Sequence, residues 1–348
     1  MAGSARHPSL LEGRVAVFGA TGHTGGFVAA ELLRRGVAPV LVGRRAGGLE
    51  AVQGAAGQAL DTRIASIADP ESLDRAFHDA DVVINCAGPF LDTARPVIEA
   101  ALRSRSSYLD VTAEQASALD TFERFDDAAR EAGIVVLPAM AFYGGLADLM
   151  ATALLDGWEH ADTLEIGIAL DRWMPTLGTR LTGKRNTAPR LVVADGRLVP
   201  LAEPAPQGVR EFPAPFGRQD VIAVPLSEII TVSKHLRIAN VNTFINLAPV
   251  QDLRDPDTPP PEAADAYGRS DQVFVLDAIA SRGDQRRRAT ARGRDIYAVT
   301  APIVVEAAVR ILDGRAKATG ARAAGELFDA RDFLDALSPD HLTVEFSP

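Results

Sequence analysis

The sequence predicts an α/β protein: a doubly wound parallel Rossmann sheet, then a second α+β domain with a mixed or antiparallel sheet. Three observations predict it. Short apolar runs alternate with helical periods from Arg14 to Leu137; a glycine-rich turn joins the first run to the first helical period; and beyond Phe142 strand-like stretches follow one another across Gly/Pro turns. The expected division is 13–142 for the Rossmann domain, 143–300 for the second domain, and 301–348 for C-terminal helices returning to the first.

Each element has its own signal. Val15-Ala16-Val17-Phe18 reads as a buried strand, and Phe27, Ala30, Leu32 and Leu33 carry a helical period that closes at Gly36. Pro39–Val42 is the second strand and Thr62–Ile67 the third, before a helix start at Asp69-Pro70-Glu71-Ser72. Asp81–Cys86 is a strand, Thr93–Arg103 a helix, Tyr108–Val111 a strand, Thr121–Ala132 a helix and Ile134–Leu137 a sixth strand. In the second part, Thr163–Leu170, Arg190–Val193, Val221–Val224 and Thr243–Leu247 read as strands. Asp252–Ala264, with four prolines, is a loop. A strand pair follows at Gln272–Ala280 and Arg287–Ile296, then helices at Pro302–Leu312 and Ala330–Leu337.

The turn after the first strand is Gly19-Ala20-Thr21-Gly22-His23-Thr24-Gly25. A turn without side chains lets a diphosphate approach the backbone N–H groups that open the helix, so this loop predicts a dinucleotide site. The second strand ends in Gly43-Arg44-Arg45, where an NAD-specific site carries a carboxylate for the ribose hydroxyls. Guanidinium groups pair with a 2′-phosphate, so Arg44 and Arg45 favour NADP(H). Cys86, Ala87, Gly88, Pro89 and Phe90 end the fourth strand, with small residues for the nicotinamide ribose to lie against. Cys86 reads as a small buried residue before it reads as a nucleophile.

Composition narrows the function classes. With 46 acidic against 36 basic residues, the chain carries a net charge of −10 and no footprint for nucleic acid or an anionic membrane. The single cysteine excludes an intrachain disulfide and a cysteine-based zinc site, and the six histidines lack metal-ligand spacing, so no metal is expected. Met1–Glu12 lacks a signal-peptide pattern and no 18-residue apolar run occurs, which predicts a cytoplasmic protein.

Together the segments Val17–Gly25, Gly43-Arg44-Arg45, Asn85–Phe90 and Tyr108-Leu109-Asp110-Val111-Thr112-Ala113-Glu114 resemble the saccharopine dehydrogenase-like NAD(P) domain family. That family includes saccharopine reductases and trans-acting enoyl reductases. Gly320–Leu337, with Glu326-Leu327-Phe328, resembles its closing segment. The resemblance implies cofactor contacts from the glycine loop, from Ser66 where many members carry an adenine-binding Asp, and from Thr112. It also implies reduction of a C=C or C=N bond. The loop Ala141–Asp148 departs from the Gly-Phe-Asp-Ser-like loop of the enoyl reductases, and the middle region matches no substrate-binding sequence, so the substrate stays open.

The glycine loop also resembles that of the short-chain dehydrogenases, whose chemistry needs a Lys four residues after a Tyr. Here those positions are Thr112, Ala147, Asp271 and Ala301. Tyr143, on the loop after the sixth strand, is the expected proton donor, with Lys234 beside His235 as an acid or carboxylate anchor. Asp148 is expected to cap its helix, Lys184-Arg185 to form an exposed basic turn, and Tyr297 to line the cleft. The expected whole is an NADP(H)-dependent reductase, as a homodimer, with a small or carrier-bound substrate between its domains. The alternative is a non-catalytic NADP(H) sensor.

Overall fold

The computed structural model describes residues 13–347, so the reading of Met1–Glu12 falls outside the described residues. The first domain is built from β1 (Val15–Phe18), α1 (His23–Arg34), β2 (Pro39–Gly43), α2 (Ala46–Ala56), β3 (Thr62–Ile64), α3 (Pro70–Phe77), β4 (Val82–Asn85), α4 (Phe90–Ser104), β5 (Ser107–Asp110), α5 (Gln115–Ala132) and β6 (Val135–Leu137). The strands are parallel in the order β6-β5-β4-β1-β2-β3. Val15 and Val17 point into one core with Val28 and Leu32 of α1; Ala16 and Phe18 point into the other with Phe77, Ala94 and Val97. Both faces are covered, which is why these strands read as unbroken apolar runs.

α5 begins at Gln115 rather than at the expected Thr121, and two further boundaries differ from expectation for a physical reason. β3 stops at Ile64 because Ser66 pairs with Asp69 and donates its N–H to Ser72 Oγ (3.0 Å), turning the chain into α3. α4 begins three residues early, at Phe90. The Glu114 carboxylate accepts the N–H groups of Phe90 (2.6 Å) and Leu91 (3.3 Å), so the cap comes from another part of the chain.

A wide turn at Phe142–Leu146 leads into α6 (Ala147–Leu154), β7 (Ala161–Leu170), α7 (Leu177–Arg185), β8 (Leu191–Ala194), β9 (Arg197–Pro200), β10 (Gln207–Phe212), β11 (Gly217–Ala223), α8 (Ser227–His235), β12 (Ile238–Asn246), α9 (Leu247–Arg254), β13 (Val273–Arg282) and β14 (Gln285–Arg294). β12 and β7 pair in parallel and the other pairs are antiparallel, so the second sheet is mixed. One expectation is corrected: the proline-rich loop begins only after α9, because Pro249 lies in that helix's first turn where its missing N–H is harmless. The segment around Lys234 is a helix.

The C-terminal part is α10 (Thr300–Leu312), β15 (Gly320–Ala321), α11 (Ala324–Leu327), α12 (Ala330–Leu337) and β16 (Leu342–Ser347). α10 packs on α1 and β15 extends the first sheet beside β6, as a return to the Rossmann domain requires. β16 instead pairs with β14 in the second sheet. The segment therefore stitches both sheets together, and one apolar core runs from Val15 and Leu32 through Ile303 to Ile166 and Leu276.

Candidate functional site

The glycine loop has the geometry of an anion cradle. Gly19 has φ +83°, and a Cβ there would lie 2.9 Å from the Ala87 Cβ; a Cβ at Gly25 would run into the Gly19 carbonyl. No other residue fits either position. Gly22 is the extended N-cap of α1 and its N–H donates to Gly19 O (2.9 Å), leaving the N–H groups of His23, Thr24 and Gly25 in the unpaired first turn. Gly19 and Ala20 donate to Val42 O (2.9 and 3.2 Å), which ties the loop to the end of β2. There, exposed Arg44 and Arg45 line a cavity of about 400 Å³ with Thr21, Gly48, Val52 and Ala55, and no carboxylate lines it.

The strand ends beside the loop rest on a buried polar network. Asn85 accepts the Ala87 N–H (3.0 Å) and donates to Tyr108 Oη (3.2 Å) and Thr93 Oγ1 (3.3 Å). Tyr108 donates to Asp110 Oδ2 (2.8 Å), and Asp110 Oδ1 accepts the N–H groups of Thr112 (3.0 Å) and Ala139 (2.8 Å). Burial pushes the Asp110 carboxyl up to about 6 against the pull of those donors. The network fixes the backbone of Cys86, Ala87, Gly88 and Pro89, half-buried at the carboxyl edge of the sheet. Burial, and less so the Asp110 carboxylate, also raise the Cys86 thiol, which favours its protonated form.

Three expected cofactor residues have other work. Thr112 is fully buried: its hydroxyl accepts the Glu114 N–H (3.0 Å) and its carbonyl accepts from Ser227 Oγ (3.0 Å), so it braces β5 against α8 and is closed to a ligand. Ser66 Oγ accepts the Ala68 N–H (3.3 Å) and serves the turn into α3. Phe90 is buried, and with its N–H taken by Glu114 the start of α4 offers no phosphate site.

Across the domain boundary runs a chain of aromatic rings. His23, at the start of α1, meets Tyr297 edge-on at 5.5 Å; Tyr297 Oη accepts from Trp173 Nε1 (3.0 Å); and the Trp173 ring stacks on Tyr143 at 5.6 Å and 22°. Tyr143 Oη is buried without a hydrogen-bond partner among the described residues, and burial raises its phenol well above the ordinary value. The turn that presents it needs Gly144, whose φ is +104° and whose Cβ would lie 2.8 Å from the Ala139 Cβ. Glu228, at the start of α8, is fully buried; one oxygen accepts the Leu226 N–H (2.9 Å) and the other has no hydrogen-bond partner among the described residues. Over this region lies α7: Thr182 Oγ1 stands 3.0 Å from where a Gly88 Cβ would be, Thr179 Oγ1 hydrogen-bonds Tyr297 Oη (2.9 Å), and Arg185 pairs with Asp92 (2.9 Å). Lys184 and Arg185 thus end a helix rather than form a turn.

Lys234 is not brought to Tyr143. It is exposed, with its ammonium 5.4 Å from the Phe122 ring, about 10 Å along the α8 axis from the Ser227 that touches the Tyr143 carbonyl. Its neighbour His235 bonds Asp148 (Nε2 to Oδ1, 2.8 Å), and Asp148 Oδ2 accepts the Gly325 N–H (2.8 Å). Asp148 therefore ties α6 to α8 and α11 instead of capping its own helix. Sequence reasoning missed the Asn85–Tyr108–Asp110 network, Trp173 and the placing of α7. The spacing of Tyr108 and Asp110, two residues apart on one strand face, was the available signal. Among the described residues no group of three His, Cys, Asp or Glu side chains is placed to hold a metal, and no helix is long and apolar enough to cross a membrane.

Residues 15–137 match the saccharopine dehydrogenase NADP binding domain. The saccharopine dehydrogenase-like oxidoreductase of Bos taurus is 31% identical over 150 residues, covering 38% of this chain and 35% of that protein. The Homo sapiens protein of the same description is 31% identical over 151 residues, with 38% and 35% covered. The chain thus matches about a third of the length of these curated relatives. Whole-chain likeness comes from solved structures. Apo saccharopine dehydrogenase (L-Glu forming) of Saccharomyces cerevisiae has a TM-score of 0.65 at 14% identity, covering 97% of this chain and 100% of that one. The homospermidine synthase of Legionella pneumophila, solved with NAD, has a TM-score of 0.65 at 9% identity, covering 96% and 90%. These two establish the shared fold of both domains.

Proposed function

We propose that this chain, whose residues 15–137 belong to the saccharopine dehydrogenase NADP-binding domain family, is an NADP(H)-dependent oxidoreductase. It reduces a C=C or C=N bond of a small metabolite or carrier-bound intermediate held between its two domains. The observation that carries the cofactor reading is the cavity beside the glycine loop, lined by Arg44 and Arg45 and by no carboxylate. A 2′-phosphate would find two guanidinium groups there, whereas the ribose hydroxyls of NAD(H) would find no carboxylate among the lining residues. The homospermidine synthase was solved with NAD, so the fold alone does not select the cofactor and the reading rests on these side chains.

When bound, NADPH would supply the hydride. The chain's own residues do the rest. The first turn of α1 and the glycine loop hold the diphosphate. The Asn85–Tyr108–Asp110 network fixes the wall formed by Cys86–Pro89, and α7, with Tyr297 bonded to Trp173 and Trp173 stacked on Tyr143, covers the site against water. Tyr143 holds a proton at Oη, kept there by burial, with no hydrogen-bond partner for it among the described residues. That proton is the one delivered to the acceptor as the bond is reduced.

The test is NADPH oxidation by the purified protein with enoyl thioesters, cyclic imines, and keto-acid plus amine mixtures. Turnover with one class fixes the bond reduced. Silence with all three, alongside intact NADPH binding, supports the second reading, a non-catalytic NADP(H) sensor, which the absence of a Tyr/Lys pair and the enclosure of Tyr143 favour. We further propose a cytoplasmic homodimer without nucleic-acid or membrane partners, in keeping with one cysteine and a net charge of −10; light scattering gives the oligomeric mass.

A further inference from the structure

A second cavity, of about 590 Å³, shares no residue with the dinucleotide site. It opens where the end of α6, the β13–β14 hairpin, α12 and β16 meet, and Arg286, Arg287 and Arg331 line it with Trp158 and Phe346. The guanidinium groups arrive from two elements far apart in sequence, and stacking holds two of them in place. Arg287 lies 4.3 Å from the centre of the Trp158 ring, whose flank also carries Arg282 at 4.6 Å, and Arg331 lies 3.5 Å from the centre of the Phe346 ring. Arg287 is fixed further by donating to the carbonyls of Leu154 (2.6 Å) and Asp156 (2.7 Å). Stacking sets the plane of a guanidinium while leaving N–H edges for an anion.

Among the described residues that line the cavity Asp156 is the one carboxylate, so three cations face one anion there in a chain whose net charge is −10. Local charge thus runs against the whole molecule. The same pairing of arginines with an apolar wall marks the cavity at Arg44 and Arg45.

We propose that this cavity is a second ligand site, for a soluble organic phosphate, with the phosphoryl group on Arg286, Arg287 and Arg331 and the organic part against Trp158 and Phe346. A dianion matches the net charge of the lining, and the aromatic rings select a ligand with an apolar or flat body. The site owes nothing to the reductase reading and stands or falls apart from it.

The chain has two tryptophans, Trp158 and Trp173, so an ¹⁵N-labelled full-length protein gives two indole N–H signals, which a Trp158→Phe variant assigns. Phenyl phosphate, titrated to about 10 mM at physiological salt, is expected to move the Trp158 signal saturably and leave Trp173 still. Inorganic phosphate should bind roughly tenfold more weakly, and phenol and benzoate should leave the signal unmoved. Arg286→Ala and Arg331→Ala, both at exposed positions, should each weaken phenyl phosphate about tenfold, while Arg44→Ala should not. The proposal is overturned if Trp158 does not respond to phenyl phosphate, if phenol or benzoate moves it equally, or if the arginine variants respond as the parent does. Binding to phosphatidate vesicles with no response to phenyl phosphate overturns it too, in favour of a lipid surface.

Discussion

Tyr143 separates catalysis from stability at a single atom. A buried hydroxyl without a partner contributes nothing to the fold and carries a desolvation penalty, so Tyr143→Phe should leave stability unchanged or raise it by up to about 1 kcal/mol. As the proton donor, the same hydroxyl should be worth roughly 100-fold or more in turnover. Urea unfolding and NADPH oxidation together decide: full turnover in the variant removes Tyr143 from the chemistry, and a large loss of stability makes it a packing residue. Asp110 gives a prediction in pH. Its folded value of about 6 stands above the ordinary 3.8, so the folded state holds the proton more tightly than the unfolded chain does. That contribution is complete below about pH 3.8 and disappears as pH rises through about 6. Asp110→Asn should flatten the slope of unfolding free energy in that window, and an unchanged slope would show that another group is responsible. The residues legible in the sequence are those whose role depends on near neighbours, such as Gly19, Gly22 and Gly25. Thr112 and Lys234 misled because one is sealed by Ser227 and Glu114 and the other faces Phe122, contacts that depend on the tertiary fold.

At the scale of elements, the strand–loop–helix at the N-terminus allows little change. Gly25→Ala would drive a Cβ into the Gly19 carbonyl, so the loop must shift, at roughly 1–3 kcal/mol of stability, and NADPH binding should fall with it. Unaltered binding in a folded Gly25→Ala protein would mean that the diphosphate sits elsewhere. The junction of α6, α8 and α11 answers to pH. Burial works against the charge on His235, but the Asp148 carboxylate, its hydrogen bond and the more distant Glu326 prevail, and the imidazole is raised above 6.5. A raised folded value means stabilisation that is fully present below pH 6.5 and is lost as pH climbs through the folded value. His235→Gln should remove that loss, read as urea midpoints at about pH 5.5 and about pH 8.5. Element types in the first domain were legible because both faces of the sheet are buried and the chain writes that as apolar runs. Boundaries were less so: α4 starts where Glu114 caps it, 24 residues on from Phe90.

For the whole molecule, the return of the chain is what makes one site from two domains. β15 joins the first sheet and β16 the second, with α10 packed on α1 between them. The sequence carried the helices of that return but not the destination of β16, since a six-residue strand pairs with either sheet as far as its pattern shows. Packing between the two domains sets His23, Tyr297, Trp173 and Tyr143 in a line of contacts that leads away from the glycine loop. The account turns on the cofactor that this line begins from. Calorimetric titration of the full chain with NADPH and NADH, in the parent and in an Arg44→Ala/Arg45→Ala variant, tests it most directly. Charge-assisted hydrogen bonds to a phosphate are worth about 1.5–3 kcal/mol, so NADPH should bind the parent roughly 10- to 100-fold more tightly than NADH, and the variant should bind the two alike. Equal affinities in the parent, or an equal loss for both dinucleotides in the variant, would contradict the reading of this site.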